Sequence, residues 1–267
     1  MRVRPKEWHV GEQVVVNSTV ASGDWRLLLL RPRPEWMNEG RYALTVTSPP
    51  YDLGKEYDAG EGLYQYLRFT HDWLHEVFVQ TQDGGRLCLN IPLDTSYGKV
   101  YTPLYSLVME EAREVGWEYK TTIVWNEGNV SRRTAWGSWR RATAPHVIAP
   151  VEMIAVLYKG MWKREGNGHG LTIPAQHFMD WTNGLWTFNG ESAKRTGHPA
   201  PFPVELPRRC IELFSFPGDR VFDPFVGSGT TLVAAQELGR KGTGIEKDPQ
   251  YCRLAVERLR KMVNHGT

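Results

Sequence analysis

The chain has 267 residues, 41% of them hydrophobic, and a formal net charge of +2 at pH 7. That length can bury a proper core in one large domain, or in one large and one small. No apolar run approaches the roughly 20 residues of a membrane span and no signal-peptide pattern opens the chain, so the expectation is a soluble, cytoplasmic protein. Three scattered cysteines, Cys88, Cys210 and Cys252, fit burial better than a disulfide framework or a zinc knuckle, and no metal site is expected. A charge of +2 does not announce a nucleic-acid binder, whose footprint would have to be a local basic cluster.

In chain order, Gln13, Val14, Val15 and Val16 read as a short strand, and Ser22-Gly23-Asp24 as a turn that leaves Asp24 at a loop end. Residues 25–30 suit a helical turn or a strand, and Pro32 and Pro34 stop any helix there. Residues 41–47 form an apolar strand that delivers Thr47-Ser48-Pro49-Pro50-Tyr51 at its C-terminal end, where α/β folds place their sites. Leu63, Tyr66, Leu67, Trp73, Leu74, Val77 and Phe78 then recur at helical spacing over 63–81. Asp83-Gly84-Gly85 predicts a turn, 86–91 a strand, 105–115 a helix and 119–125 a strand. This alternation predicts an α/β fold with a mostly parallel sheet.

Beyond Asn126 the character changes. Arg132, Arg133, Trp136, Trp139, Arg140 and Arg141 lie close together before a strand over 152–158. The cluster suits phosphate contacts and base stacking, and it equally suits a solvated arginine face over packed tryptophans. Residues 160–195 have weak periodicity and read as an insertion, which divides the chain into 1–159, the insertion 160–195, and 196–267 rejoining the first domain. In that last part, helices are predicted over 205–214, 230–238 and 249–262, with strands over 220–222 and 242–246.

Asp223-Pro224-Phe225-Val226-Gly227-Ser228-Gly229-Thr230-Thr231 ends a strand and opens a helix, and the next strand ends in Glu246. An acid about 20 residues past such glycines is the arrangement that holds an adenosine-bearing cofactor. The glycines admit the ligand to the backbone, and the carboxylate accepts both hydrogen bonds of a ribose diol. A phosphate-binding P-loop is excluded because no lysine follows, and a full dinucleotide fingerprint is excluded because Leu232 stands where its third glycine would be. The plainer alternative is a tight strand-to-helix turn with Glu246 merely solvated.

Together the two stretches resemble the S-adenosylmethionine-dependent DNA methyltransferases that methylate exocyclic amines. Ser48-Pro49-Pro50-Tyr51 is similar to their catalytic signature, and 223–231 to their cofactor motif. Gly197-His198-Pro199-Ala200-Pro201-Phe202-Pro203 is similar to the segment that closes over the methionine moiety. The order, chemistry loop first and cofactor loop last, is that of the family's beta class of restriction-modification type, and the matches span about residues 20–255. The resemblance implies a Rossmann-like methyltransferase fold, S-adenosyl-L-methionine as cofactor and double-stranded DNA as substrate. It assigns Ser48, Pro49, Pro50 and Tyr51 to catalysis. It assigns Asp24, Phe202, Asp223, Phe225, Gly227, Ser228, Gly229, Thr230, Thr231 and Glu246 to the cofactor, with Asp24 as acceptor for its adenine amine; a loop-capping aspartate is the alternative there. By position alone, 160–195 resembles a target-recognition region. The resemblance also admits a homodimer and a cognate restriction endonuclease as partners, although no residue pattern specifies either.

An exocyclic amine is a poor nucleophile because its lone pair is delocalised into the ring. Acceptors for its hydrogens localise that pair, and Ser48 Oγ and the Pro49 carbonyl can take one hydrogen each while the prolines fix their convergence. Tyr51 would stack on the base, which must be flipped from the duplex to reach this turn. Family usage pairs serine at this position mostly with cytosine N4, so N4 methylation is the expectation and adenine N6 the alternative. A rigid turn in a catalytically silent DNA-binding subunit, or methylation of RNA or a small molecule, are the competing readings.

Overall fold

The computed structural model describes residues 11–15, 18–26, 42–50, 62–97, 100–128, 137–147, 149–166, 168–191 and 202–265. Its strands are β1 (Gly11–Val15), β2 (Ser18–Ser22), β3 (Tyr42–Thr47), β4 (Thr81–Pro92), β5 (Thr95–Tyr97), β6 (Val100–Thr102), β7 (Glu118–Glu127), β8 (Val151–Tyr158), β9 (Leu185–Phe188), β10 (Arg220–Asp223) and β11 (Lys241–Glu246). Its helices are α1 (Gly62–Gln80), α2 (Leu104–Val115), α3 (Ala175–Trp181), α4 (Glu205–Phe214), α5 (Thr230–Glu237) and α6 (Pro249–His265).

Nine strands form one sheet in the order β1-β2-β11-β10-β3-β4-β8-β7-β9. The five from β2 to β4 run parallel, whereas β8 lies antiparallel between β4 and β7. The sheet is buried on both faces, which is why β3 is apolar without alternation and buried at every position. One face packs under α1 and α2, where Trp73, Leu74, Val77, Leu104 and Val108 meet Leu87, Leu89, Ile91 and Phe222. On the other face α4 and α5 bring Leu206, Cys210, Ile211 and Ala234 onto Leu44, Val46, Cys88 and Val221. The ring of Tyr42 stacks on Phe222 at 4.5 Å, and such a pair contributes about 1 kcal/mol beyond its buried area. All three cysteines are buried and free.

Two sequence expectations change. The predicted turn at Asp83-Gly84-Gly85 lies inside β4, where the register jumps between Tyr42↔Thr81 and Leu44↔Arg86 and Gly84 takes φ +73°. It is a bulge: the chain absorbs the extra residues without leaving the sheet. The predicted turn at 22–24 is preceded by an unexpected strand, β2, whose apolar signal is only Val20 and Ala21 between hydroxyl residues but which pairs with both β1 and β11. Within 160–195 the sheet gains a further strand, since β9 pairs in parallel with β7 at its outer edge.

Candidate active site

The parallel strands all end on one edge, and there β3 delivers Ser48, β10 Asp223 and β11 Glu246. From β3 the chain continues to β4 on one side, and from β10 to β11 on the other, so the strand order reverses between β3 and β10. Ligands of open α/β sheets bind at such a switch point.

Hydrogen bonds cross this seam. Thr47 Oγ1 donates to Asp223 Oδ1 at 2.7 Å, and Thr231 Oγ1 donates to the Val46 carbonyl at 3.3 Å, all of it buried. Two stretches 176 residues apart in sequence are thereby one structural unit. Asp223 Oδ1 also accepts the Phe225 amide at 3.0 Å, which closes the first turn of the glycine loop. Complete burial pushes the Asp223 carboxyl up to about 6, against the hydrogen bonds that favour its charged form. On the chemistry side Ser48 is half-buried, Pro49 buried and Pro50 exposed, so the turn projects from the sheet edge. Tyr51 lies outside the described residues.

The glycine loop is held at three points. The Val226 amide donates to the Ile245 carbonyl at 3.0 Å, and the Gly227 amide to Glu246 Oε2 at 2.8 Å. From α6, Arg258 Nη1 donates to the Ser228 carbonyl, Ser228 Oγ and Thr230 Oγ1 at 2.7, 3.0 and 3.1 Å. Gly229 has φ +84°, and a Cβ there would stand 2.8 Å from the Ala255 Cβ, so α6 can approach only a glycine. The Phe225 ring packs against Trp73 and Phe69 of α1 at 5.4 and 5.9 Å. Phe202 is half-buried over the α4 face of the sheet.

Glu246 accepts a second amide, from Asp248, on Oε1 at 2.7 Å. Burial raises its pKa, and the two amides oppose the rise. Each oxygen keeps another lone pair, so the carboxylate retains capacity for a diol. The Gly23 amide donates to the Glu246 carbonyl at 2.7 Å, which brings the Gly23-Asp24 turn beside it. Asp24 meets the Arg26 guanidinium with both oxygens, at 3.0 and 2.9 Å. An acceptor role toward an amine would therefore share this carboxylate with Arg26. The residues present fit an adenosyl cofactor: a backbone cradle at Gly227 and Gly229, a carboxylate at the end of the next strand, and an aromatic wall.

The chain between β7 and β8 also emerges at this edge. Ser138 staples its 137–146 segment: the Ser138 amide donates to the Ala144 carbonyl at 2.9 Å, Oγ donates to the Arg141 carbonyl at 2.6 Å and accepts the Ala144 amide at 2.9 Å. Gly137 is required, since a Cβ would fall 2.1 Å from the Ala144 carbonyl oxygen. Trp139, Arg140 and Arg141 sit exposed at the tip, with Arg140 at φ +56°. Arg132, Arg133 and Trp136 lie outside the described residues. The first part of 160–195 goes elsewhere: Arg164 pairs with Asp219 at 2.7 and 3.0 Å and His169 stacks on Phe216, at the N-terminal ends of the parallel strands. Among the described residues, β9 returns toward the Ser48 edge.

A DNA methylase family model, that of the N6/N4 methylases, matches residues 42–257. The chain belongs to this DNA methylase family. Among curated relatives, the type II methyltransferase M.MjaVI of Methanocaldococcus jannaschii is 50% identical over 57% of this chain and 78% of its own. M.Cfr9I of Citrobacter freundii is 34% identical over 94% of this chain and 91% of its own. A putative DNA modification methylase of Thermus thermophilus, solved as a complex with S-adenosyl-L-methionine, superposes with a TM-score of 0.70 at 27% identity, covering 91% of this chain and 93% of that one. The cytosine-N4-specific PvuII DNA methyltransferase shares the fold, at 19% identity with a TM-score of 0.70 over 96% of this chain and 94% of its own. Sequence reasoning misses two residues of the candidate site. Thr47 reads as the end of a strand and the first residue of the Thr47–Tyr51 stretch, with no role of its own, and Arg258 is lost among the basic residues of α6. Its one sequence signal is an arginine beside the apolar stripe of Cys252, Ala255, Val256 and Leu259.

Among the described residues no helix is long and apolar enough to cross a membrane, and no group of three or more His, Cys, Asp or Glu could hold a metal ion.

Proposed function

We propose that this S-adenosylmethionine-dependent DNA methyltransferase acts on the exocyclic N4 amine of a cytosine flipped from duplex DNA. The observation that carries the reading is the Thr47–Asp223 hydrogen bond, which fixes the Ser-Pro-Pro turn against the glycine loop at the switch point. When bound, the cofactor supplies an electrophilic methyl group on a sulfonium. Glu246 would hold its ribose, the Gly227–Gly229 backbone would line its amino-acid part with Phe225 and Phe202 as walls, and Asp24 would meet its adenine amine. Ser48 Oγ and the Pro49 carbonyl accept the target amine's hydrogens and turn its lone pair outward, and by the family's pattern Tyr51 would stack on the ring. Placement of this kind is the main source of rate in a direct displacement.

The exposed Trp139-Arg140-Arg141 tip, with Arg132, Arg133 and Trp136 before it in sequence, is suited to the phosphates and to the gap left by the flipped base. Target readout over 160–195 rests on its position in the chain; Arg164 and His169 pack at the far edge, while β9 runs toward the Ser48 edge. Adenine N6 is the second reading, since a neutral hydroxyl serves either amine; Ser48 itself favours cytosine by the family's usage. Incubating duplex DNA of mixed sequence with methyl-labelled cofactor and analysing nucleosides by mass spectrometry should yield labelled 4-methylcytosine. Label in 6-methyladenine alone would replace the base assignment, and label in neither would overturn the reading.

A further inference from the structure

One polar pair next to Ser48 has no part in the mechanism above. Asn90, near the end of β4, is 2% exposed, and its Oδ1 is buried without a hydrogen-bond partner among the described residues. Its Nδ2 donates to Glu152 Oε2 of β8 at 2.5 Å. A buried amide oxygen left unpaired is costly to the fold, and this one lies on the strand beside Ser48.

The register places this pair. Val46 pairs with Cys88 and Thr47 with Leu89, so alternation along the two parallel strands puts Ser48 and Asn90 next on the face that carries Val46 and Cys88. On the same face Ile154 lies opposite Asn90, and Glu152 stands at the start of β8 opposite Trp125 of β7. Trp125 stacks with Phe188 at 5.2 Å and donates its indole N–H to the Phe188 carbonyl. Beside Ser48 the sheet therefore carries a part-buried polar pair, Asn90 and Glu152, backed by the rings of Trp125 and Phe188.

We propose that Asn90 is a further contact to the target base, its Oδ1 sharing in a three-centre bond the amine hydrogen that Ser48 Oγ accepts. Glu152 is its positioning residue. A carboxylate can only accept, so by engaging Nδ2 it fixes which end of the Asn90 amide is left for the base. Its negative charge also polarises the amide toward Oδ1, which strengthens that oxygen as the amine becomes positive during methyl transfer. The proposal rests on the amine-methylation reading, and the experiment separates the two.

The test uses the full chain, mixed-sequence duplex DNA and methyl-labelled S-adenosylmethionine. Asn90→Ala should lower kcat by about 10–100-fold, as expected for removing one aligned hydrogen-bonding group, while cofactor and DNA affinities stay within about two-fold. The exchanged pair Asn90→Asp with Glu152→Gln reverses donor and acceptor, keeps the charge and leaves an oxygen facing the base; it should retain at least about a third of the wild-type kcat. A folded Asn90→Ala protein with near-wild-type kcat would overturn the proposal. If Asn90→Ala fails to fold, the exchanged pair decides, and a folded pair with less than about a tenth of the wild-type kcat overturns the proposal equally. Wild-type protein that labels no base at all would instead count against the amine-methylation reading.

Discussion

The glycine loop and the 137–147 loop lie on the same edge of the sheet and are anchored very differently. Around Gly227–Thr230, a strand below, Glu246 beside and Arg258 from α6 fix the backbone from three directions, largely out of water. Among the described residues, the 137–147 loop is tied to itself through Ser138, touches Tyr101 through His146, and has Trp139, Arg140 and Arg141 exposed. The first geometry suits a small ligand met repeatedly in one pose, because ordering costs were met at folding. The second suits a long, charged partner whose contacts are few per residue and dominated by phosphate.

If the glycine loop is the rigid half, damage there should be severe. Gly229→Ala combines a left-handed backbone with a 2.8 Å clash against Ala255. It should cost about 2–4 kcal/mol in chemical denaturation and abolish measurable cofactor binding by calorimetry. Asp223→Asn should change how stability varies with pH. The folded carboxyl titrates at about 6 and an unfolded one near 3.9, so the native state binds the extra proton between those values. The aspartate's contribution is thus greatest below about pH 4 and is lost as pH rises to about 6. Relative to the Asn variant, the wild type should lose on the order of 3 kcal/mol across that window, read from urea melts; a flat difference would contradict the burial argument.

Arg258→Ala leaves the Ser228 carbonyl and two hydroxyls without their cation. It should raise the KM for cofactor about ten-fold and cost about 1–3 kcal/mol, with kcat at saturation little changed. The smallest effects belong to the other loop. Arg141→Ala should leave stability within about 0.5 kcal/mol and cofactor affinity unaltered, while weakening DNA binding a few-fold and lowering the salt slope by about one. A loss of cofactor binding in that variant would erase the distinction between the halves.

Much of the rigid half is legible in the sequence, because its chemistry demands particular residues at fixed spacing. Gly227, Gly229 and Glu246 announce a strand-turn-helix-strand unit, and α4, α5, α6, β10 and β11 all appear where their patterns place them. What pattern does not supply is anything created by pairing between distant strands. Thr47 gains its role only from Asp223, Asn90 only from Glu152, and Arg258 only because α6 crosses the glycine loop. The bulge at Gly84 and the β2 strand escape for a related reason: both are stabilised by their neighbours in the sheet rather than by local preference. The 160–195 segment reads as one insertion, yet part of it packs at the edge far from Ser48 and part becomes β9, a division that topology decides and composition does not.

The division of labour rests most directly on Ser48, which sits at the chemistry turn and outside the cofactor cradle. Single-turnover methyl transfer by Ser48→Ala, measured beside its cofactor and DNA dissociation constants, tests it in one variant. Transfer should slow by at least about 100-fold, with both affinities within about two-fold of wild type. Wild-type transfer by that variant, or a matching collapse of cofactor affinity, would contradict it.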